Sequence, residues 1–167
     1  KTKSDDSDKI LVRDVILSLL LTNSEKPIYG RIMIMKQIFL VFKEIIEPRG
    51  FDFQDPKFIP YNYGPYSFLV MQIIDDLRFS GFIQIEGRKG SRKESFKLSS
   101  KVGKKIDITF EIVPIRIMNE MKKCRIGWDQ LGTDGILRYV YEYYPDMKVK
   151  SKIKNRYEDI SWGLGKA

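Results

Sequence analysis

Tyr61-Asn-Tyr-Gly-Pro-Tyr-Ser67 leads into Phe68-Leu-Val-Met-Gln-Ile-Ile-Asp-Asp-Leu-Arg-Phe-Ser80. That run leads into Gly81-Phe-Ile-Gln-Ile-Glu-Gly-Arg-Lys-Gly-Ser-Arg-Lys-Glu-Ser-Phe-Lys-Leu-Ser99. Gly64-Pro65 predicts a helix start with Pro65 at the first helical position, where its missing N–H has no partner to lose. Tyr66, Leu69, Val70, Ile73, Ile74 and Leu77 then recur at helical spacing and predict one buried stripe. Gly81 supplies the left-handed residue that ends a helix. Ile83 and Ile85 alternate with Phe82, Gln84 and Glu86, and Phe96 and Leu98 flank Lys97, so two antiparallel strands follow. Gly90-Ser91 gives their turn, and Arg88, Lys89, Arg92 and Lys93 crowd its tip. A helix followed by a basic hairpin is the order in which a winged helix-turn-helix ends. The expected fold class is therefore mainly α with a small β-hairpin.

Outward from this stretch, Ile10–Thr22 reads as a first helix with Asp8 as its cap, and Asn23–Gly30 as a loop. Arg31–Glu47 is apolar on every side, which marks a central buried helix stopped by Pro48 and Gly50. Its Met33 and Met35 are expected as core filler. Lys57–Tyr61 is expected to hold a short strand. After the hairpin, a helical turn over Ser99–Lys105 is expected, then helices over Pro114–Arg125, Thr133–Tyr144 and Val149–Tyr157. The division is a disordered tail at 1–8, a winged-helix domain at 9–105 and a helical C-terminal extension at 106–167. Tyr139, Tyr141, Tyr143, Tyr144 and Trp128 are expected to form the core of that extension.

The chain of 167 residues has no histidine and one cysteine, Cys124. Ser-His-Asp and Cys-His catalysis, histidine or multi-cysteine zinc sites and internal disulfides are excluded on that ground. No cofactor, no metal and no enzymatic activity are expected. Asp55 with Glu86, or Asp107 with Glu120 and Lys122, could be forced into a metal-nuclease pattern, but acidic residues are too common here to single them out. Gly163-Leu-Gly-Lys166 lacks the spacing of a phosphate loop. No apolar run approaches the roughly 20 residues of a membrane span, so no membrane partner is expected. Lys1 is not preceded by an initiator methionine, no signal-peptide pattern follows it, and a segment before it stays open. A cytoplasmic location is the expectation.

The net charge of +8 is unevenly placed. Residues 1–84 carry 11 Lys and Arg against 11 Asp and Glu, whereas residues 85–167 carry 19 against 11. The excess lies in the hairpin and beyond, which points to an anionic partner.

Lys36-Gln-Ile-Phe-Leu-Val-Phe-Lys43, Tyr61-Asn-Tyr-Gly-Pro-Tyr-Ser67 and Asp76-Leu-Arg-Phe-Ser-Gly-Phe-Ile83 together resemble the YwgA-like family of bacterial and archaeal proteins. More distantly they are similar to the Panacea antitoxin domain. Tyr143-Tyr-Pro-Asp-Met-Lys-Val-Lys-Ser-Lys-Ile153 is similar to the tail of some archaeal members. The resemblance covers about residues 30–105. It implies a mostly helical winged fold without catalytic residues and, for the Panacea relatives, neutralisation of a toxin by protein contact. Tyr63-Gly-Pro-Tyr66 departs from the Gly-Pro-Val turn more usual there.

Two surfaces follow. The first is cationic: Arg88, Lys89, Arg92 and Lys93 on the wing, with Lys148, Lys150, Lys152 and Lys154 in the basic tail, as contacts for duplex DNA phosphates. Lys122, Lys123 and Arg125 are a weaker set of the same kind. The second is apolar: Phe68, Met71 and Phe79 on the outer face of the third helix, as a surface for a dimer mate, another protein or the C-terminal helices. That face, with Gln72 and Asp75, is a poor base reader. Tyr61, Tyr63 and Tyr66 read either as rings packed to fix the turn or as a platform for bases. The expected function is DNA binding by a transcriptional regulator through wing and tail. The alternative is an antitoxin-like or adaptor-like interaction module without nucleic acid.

Overall fold

A computed structural model of the chain describes residues 9–100 and 112–148. The expected tail at 1–8, the turn at 101–105, the helix at 149–157 and residues Asp8, Asp107, Lys150, Lys152, Lys154 and Gly163 to Lys166 lie outside the described residues. The described chain is mostly helical with two small antiparallel sheets.

Helix α1 spans Val12–Leu21. Leu11 is its N-cap and offers no side-chain bond; the Val12 N–H is instead taken by the Gln54 Oε1 at 2.8 Å. Ile10 forms a parallel bridge with Phe53 beside it. Strand β1, Ile28–Tyr29, lies where a loop was expected and pairs with the hairpin. Helix α2 spans Arg31–Leu40 and continues as a π-helical turn over Val41–Ile46 and a 3₁₀ turn over Glu47–Arg49. Pro48, which has no N–H to donate, sits at the start of that 3₁₀ turn, and Gly50 at φ +75° closes it. Ile34, Ile38, Phe39 and Leu40 are fully buried, as an all-round apolar helix requires, and Met33 and Met35 fill the core.

Strands β2, Ile59–Tyr61, and β3, Gly64–Tyr66, form a tight hairpin. Gly64-Pro65 therefore does not start the next helix. Helix α3 spans Phe68–Phe79 and is capped by Ser67, whose Oγ accepts from the Val70 N–H at 2.9 Å and donates to the Pro56 carbonyl at 2.5 Å. Its buried face is Val70, Met71, Ile74 and Leu77, while Leu69 and Ile73 of the expected stripe are only partly buried. Strands β4, Ile83–Glu86, and β5, Ser95–Leu98, make the expected hairpin, with Ile83 opposite Leu98 and Ile85 opposite Phe96. β1 adds to β5, so the sheet has three strands in the order β1-β5-β4.

Helix α4 spans Ile115–Tyr143 and breaks at Gly132, where φ is +72°. The expected end near Arg125 is overrun because Ile126–Leu131 continue the helix to that glycine. Pro145 then opens a 3₁₀ turn over Pro145–Lys148. Ile117, Met121, Trp128, Ile136 and Val140 join the same hydrophobic cluster as Val15, Ile34 and Phe96. Tyr141 is buried but Tyr143 is 62% exposed at the helix end, so it is not the core residue expected. No helix among the described residues is long and apolar enough to cross a membrane.

Candidate functional site

Glu94 organises the tip of the β4–β5 hairpin. Its side chain is 2% exposed and receives the Arg31 guanidinium in a forked pair, Nε to Oε1 at 2.8 Å and Nη2 to Oε2 at 3.2 Å. The same Oε1 accepts the Gly90 N–H at 2.9 Å, and the Glu94 carbonyl accepts the Gly30 N–H at 2.6 Å. Burial alone would raise the carboxyl's pKa; the Arg31 and Gly90 bonds outweigh it and hold it below the usual range. Within the tip, the Arg88 carbonyl accepts both the Ser91 N–H and hydroxyl. Gly87 has φ +91°, and a Cβ there would lie 2.5 Å from the Lys93 carbonyl oxygen, so only glycine fits. This rigid base holds Arg88, Lys89, Arg92 and Lys93 outward, all exposed. Arg92 meets Asp134 of α4 at 3.3 Å, with both side chains largely in solvent.

Beneath the tip lies a cleft of about 550 Å³. It is lined by the rings of Tyr61, Tyr63, Tyr66 and Phe68 and by Arg31 and Arg92, with Asn62 at the turn between the tyrosines. Tyr61, Tyr66 and Phe68 form a closed triangle of rings with centroids 4.9 to 5.3 Å apart. They pack to fix the turn, one of the two roles the tyrosine spacing allows, yet Tyr61 and Phe68 remain 36% and 56% exposed. None of the described residues lining the cleft is acidic. Asp75 lies outside the lining, near enough to act on Tyr66 and Arg31.

Lys36 closes the cleft from below. It is buried, and its Nζ donates to the Pro65 carbonyl at 2.8 Å. Burial pushes its pKa down to about 7. Gly64, at φ +86°, lies against it: a Cβ there would come within 3.4 Å of the Lys36 Cε and 3.2 Å of the Tyr141 ring. The Tyr-Gly-Pro turn thus needs its glycine for both backbone angle and close approach.

The structure therefore joins features that are separate in the sequence: Arg92 of the hairpin tip, the tyrosine turn and Phe68. It divides the apolar set. Phe68 belongs to the cleft, and Phe79, 83% exposed beside the Arg78 guanidinium, sits 11 residues along the same helix face. Met71 is buried at 6% exposure and drops out of the partner surface, because α3 turns it toward the core. Lys148 lies half-buried in the last described turn, away from the wing in sequence and already engaged in an interaction.

Arg125 is the largest correction among the charged residues. Its side chain is fully buried and donates to the carbonyls of Leu19, Thr22, Lys26 and Pro27 and to the Asp129 carboxylate. Asp129 also accepts from Asn23 and Gln37, both at 2.7 Å. This network ties α4 to the loop after α1; no nucleic acid can reach the guanidinium. A second tie is equally invisible in the sequence: the Tyr139 and Tyr144 hydroxyls donate to the Glu44 Oε2 at 2.7 and 2.8 Å.

Among the described residues, no cluster of three or more His, Cys, Asp or Glu is placed to hold a metal ion. No protein-family model matches the chain, and no curated protein matches it.

Proposed function

We propose that this chain is a winged helix-turn-helix protein that binds DNA through its wing and acts as a transcriptional regulator in the cytoplasm. The fold reading is supported by the order α1, β1, α2, α3, β4, β5 with β1 paired to β5. The β2–β3 hairpin is an insertion between α2 and α3. One observation carries the function: four cations stand exposed on a tip whose base is locked by a buried, paired glutamate. Such a tip offers phosphates a preset array of charge rather than a mobile one. α3 contributes little base reading, since its outward face carries Gln72, Asp75 and Asp76 between two phenylalanines. The reading is thus of affinity set by the backbone.

The test is binding of labelled random duplex DNA at about 50 and 200 mM salt. Neutralising about four phosphates predicts an affinity drop of about two orders of magnitude between these conditions. Replacing Arg88, Lys89, Arg92 and Lys93 together by Ala abolishes that dependence on this reading. A quadruple variant that binds as the parent does refutes it.

A second reading is a protein-interaction module, as a homodimer or with another protein. It is favoured by Phe79, 83% exposed at the end of α3. Phe79→Asp then breaks a complex while leaving the chain folded. Sedimentation of both forms decides.

A further inference from the structure

We propose that the cleft between the wing and the β2–β3 hairpin holds one unpaired nucleobase of a bound strand, stacked on the exposed rings with its phosphate toward Arg92. This rests on the nucleic-acid reading above and names the ligand of the neighbouring site. The chemistry of the walls selects the occupant. Tyr61 and Phe68 present partly exposed rings beside Tyr66, and an aromatic ring face attracts any base whose own face is free. A base inside a duplex has no free face, so the occupant is single-stranded or turned out of the helix. The lining also includes Arg31 and Arg92, whose carboxylate partners Glu94 and Asp134 lie outside it, and an exposed guanidinium beside the rings favours a planar group bearing an anion over an uncharged one. Arg31 is committed to Glu94, but the Arg92 pair with Asp134 is exposed and readily exchanged for a phosphate. Asn62 supplies one amide donor and acceptor for a base edge. A volume of about 550 Å³ lies within the usual range for a ligand site. The tip cations outside the cleft then track the rest of the strand.

The experiment uses the full chain and a ten-nucleotide single strand with 2-aminopurine at its centre, the same strand annealed to its complement, and the 2-aminopurine mononucleotide. Phe68→Ala and Tyr61→Ala are compared with Phe79→Ala, which removes an exposed ring outside the cleft. The expected result is quenching in the single strand and a loss of roughly 5- to 100-fold in single-strand affinity for the two cleft variants. Duplex affinity then changes by less than about twofold, as the wing still holds the backbone, and Phe79→Ala changes neither. Cleft variants that bind the single strand as the parent does, or that weaken strand and duplex equally, overturn the cleft while leaving the wing reading in place. Failure of the parent chain to bind any nucleic acid overturns both. Quenching of the mononucleotide without binding of either strand or duplex overturns the strand and assigns the cleft to a free nucleotide.

Discussion

Arg125 and the arginines of the β4–β5 hairpin tip are the same side chain in opposite settings. Arg125 is stripped of water, and its fork is consumed by four carbonyls and one carboxylate. Arg88 and Arg92 lie in solvent on a tip, and the ion pair that Arg92 makes is exposed. A buried cation with its donors matched holds backbone segments together and has nothing left for a ligand. An exposed cation contributes little to folding and is available to an anion. What distinguishes them is the set of acceptors that the fold brings within reach. Substitutions on the two sides should therefore trade places: large in stability and silent in binding on one, the reverse on the other.

The largest effect is expected at Arg125. Arg125→Ala leaves the Leu19 and Thr22 carbonyls without this donor and the Asp129 carboxylate without its cation, with only Asn23 and Gln37 left to it, and about 3–5 kcal/mol of stability is lost. Urea unfolding measures it. On the proposed reading, DNA affinity per folded molecule is unchanged.

Lys36 comes next, through pH. Its folded-state pKa of about 7 lies below the value of about 10.4 in an unfolded chain. Between these values the unfolded state binds more protons, so stability rises with pH across the window, and the burial penalty is full below it. The rise is on the order of a few kcal/mol. Lys36→Met removes this contribution, and unfolding midpoints at about pH 6.5, 8 and 9.5 should show a flatter profile than the parent's.

Ser67→Ala removes the α3 cap and leaves the Val70 N–H without its acceptor. A loss of about 1–2 kcal/mol is expected in thermal or urea unfolding. Smallest in stability are the hairpin-tip cations: Lys89→Ala or Lys93→Ala shifts folding by less than about 0.5 kcal/mol. Each lowers the slope of log affinity against log salt by roughly 0.9 for every phosphate that the variant no longer neutralises. A wing substitution that unfolds the chain, or an Arg125 substitution that leaves it stable, breaks the comparison.

How far the sequence foretells this molecule depends on how local each cause is. α2 is legible because its apolar residues bury all round, and the β4–β5 hairpin because Ile83, Ile85, Phe96 and Leu98 alternate. β1 is not, since Ile28–Tyr29 is too short to show a period and sits between Pro27 and Gly30. Pro65 misleads because its fixed φ suits an edge strand as well as a helix start, and Ser67, two residues on, is the cap. Met71 is buried because it lies three residues before Ile74 on the same helix face. The basic tip is read directly. The cleft is not, because Arg31 and Glu94 are 63 positions apart and the rings come from β2, β3 and α3. Nothing in the residue type marks Arg125 as buried, for its acceptors are backbone carbonyls 106 and 103 positions away.

The most direct measurement is an amide chemical-shift map of the isotope-labelled chain titrated with a short DNA duplex carrying a single-stranded overhang. The account predicts shifts concentrated at residues 87–93 and 61–68, with the Arg125 network around residues 19–27 unmoved. Shifts confined to the Phe79 end of α3, with the wing and the tyrosine turn silent, would contradict it.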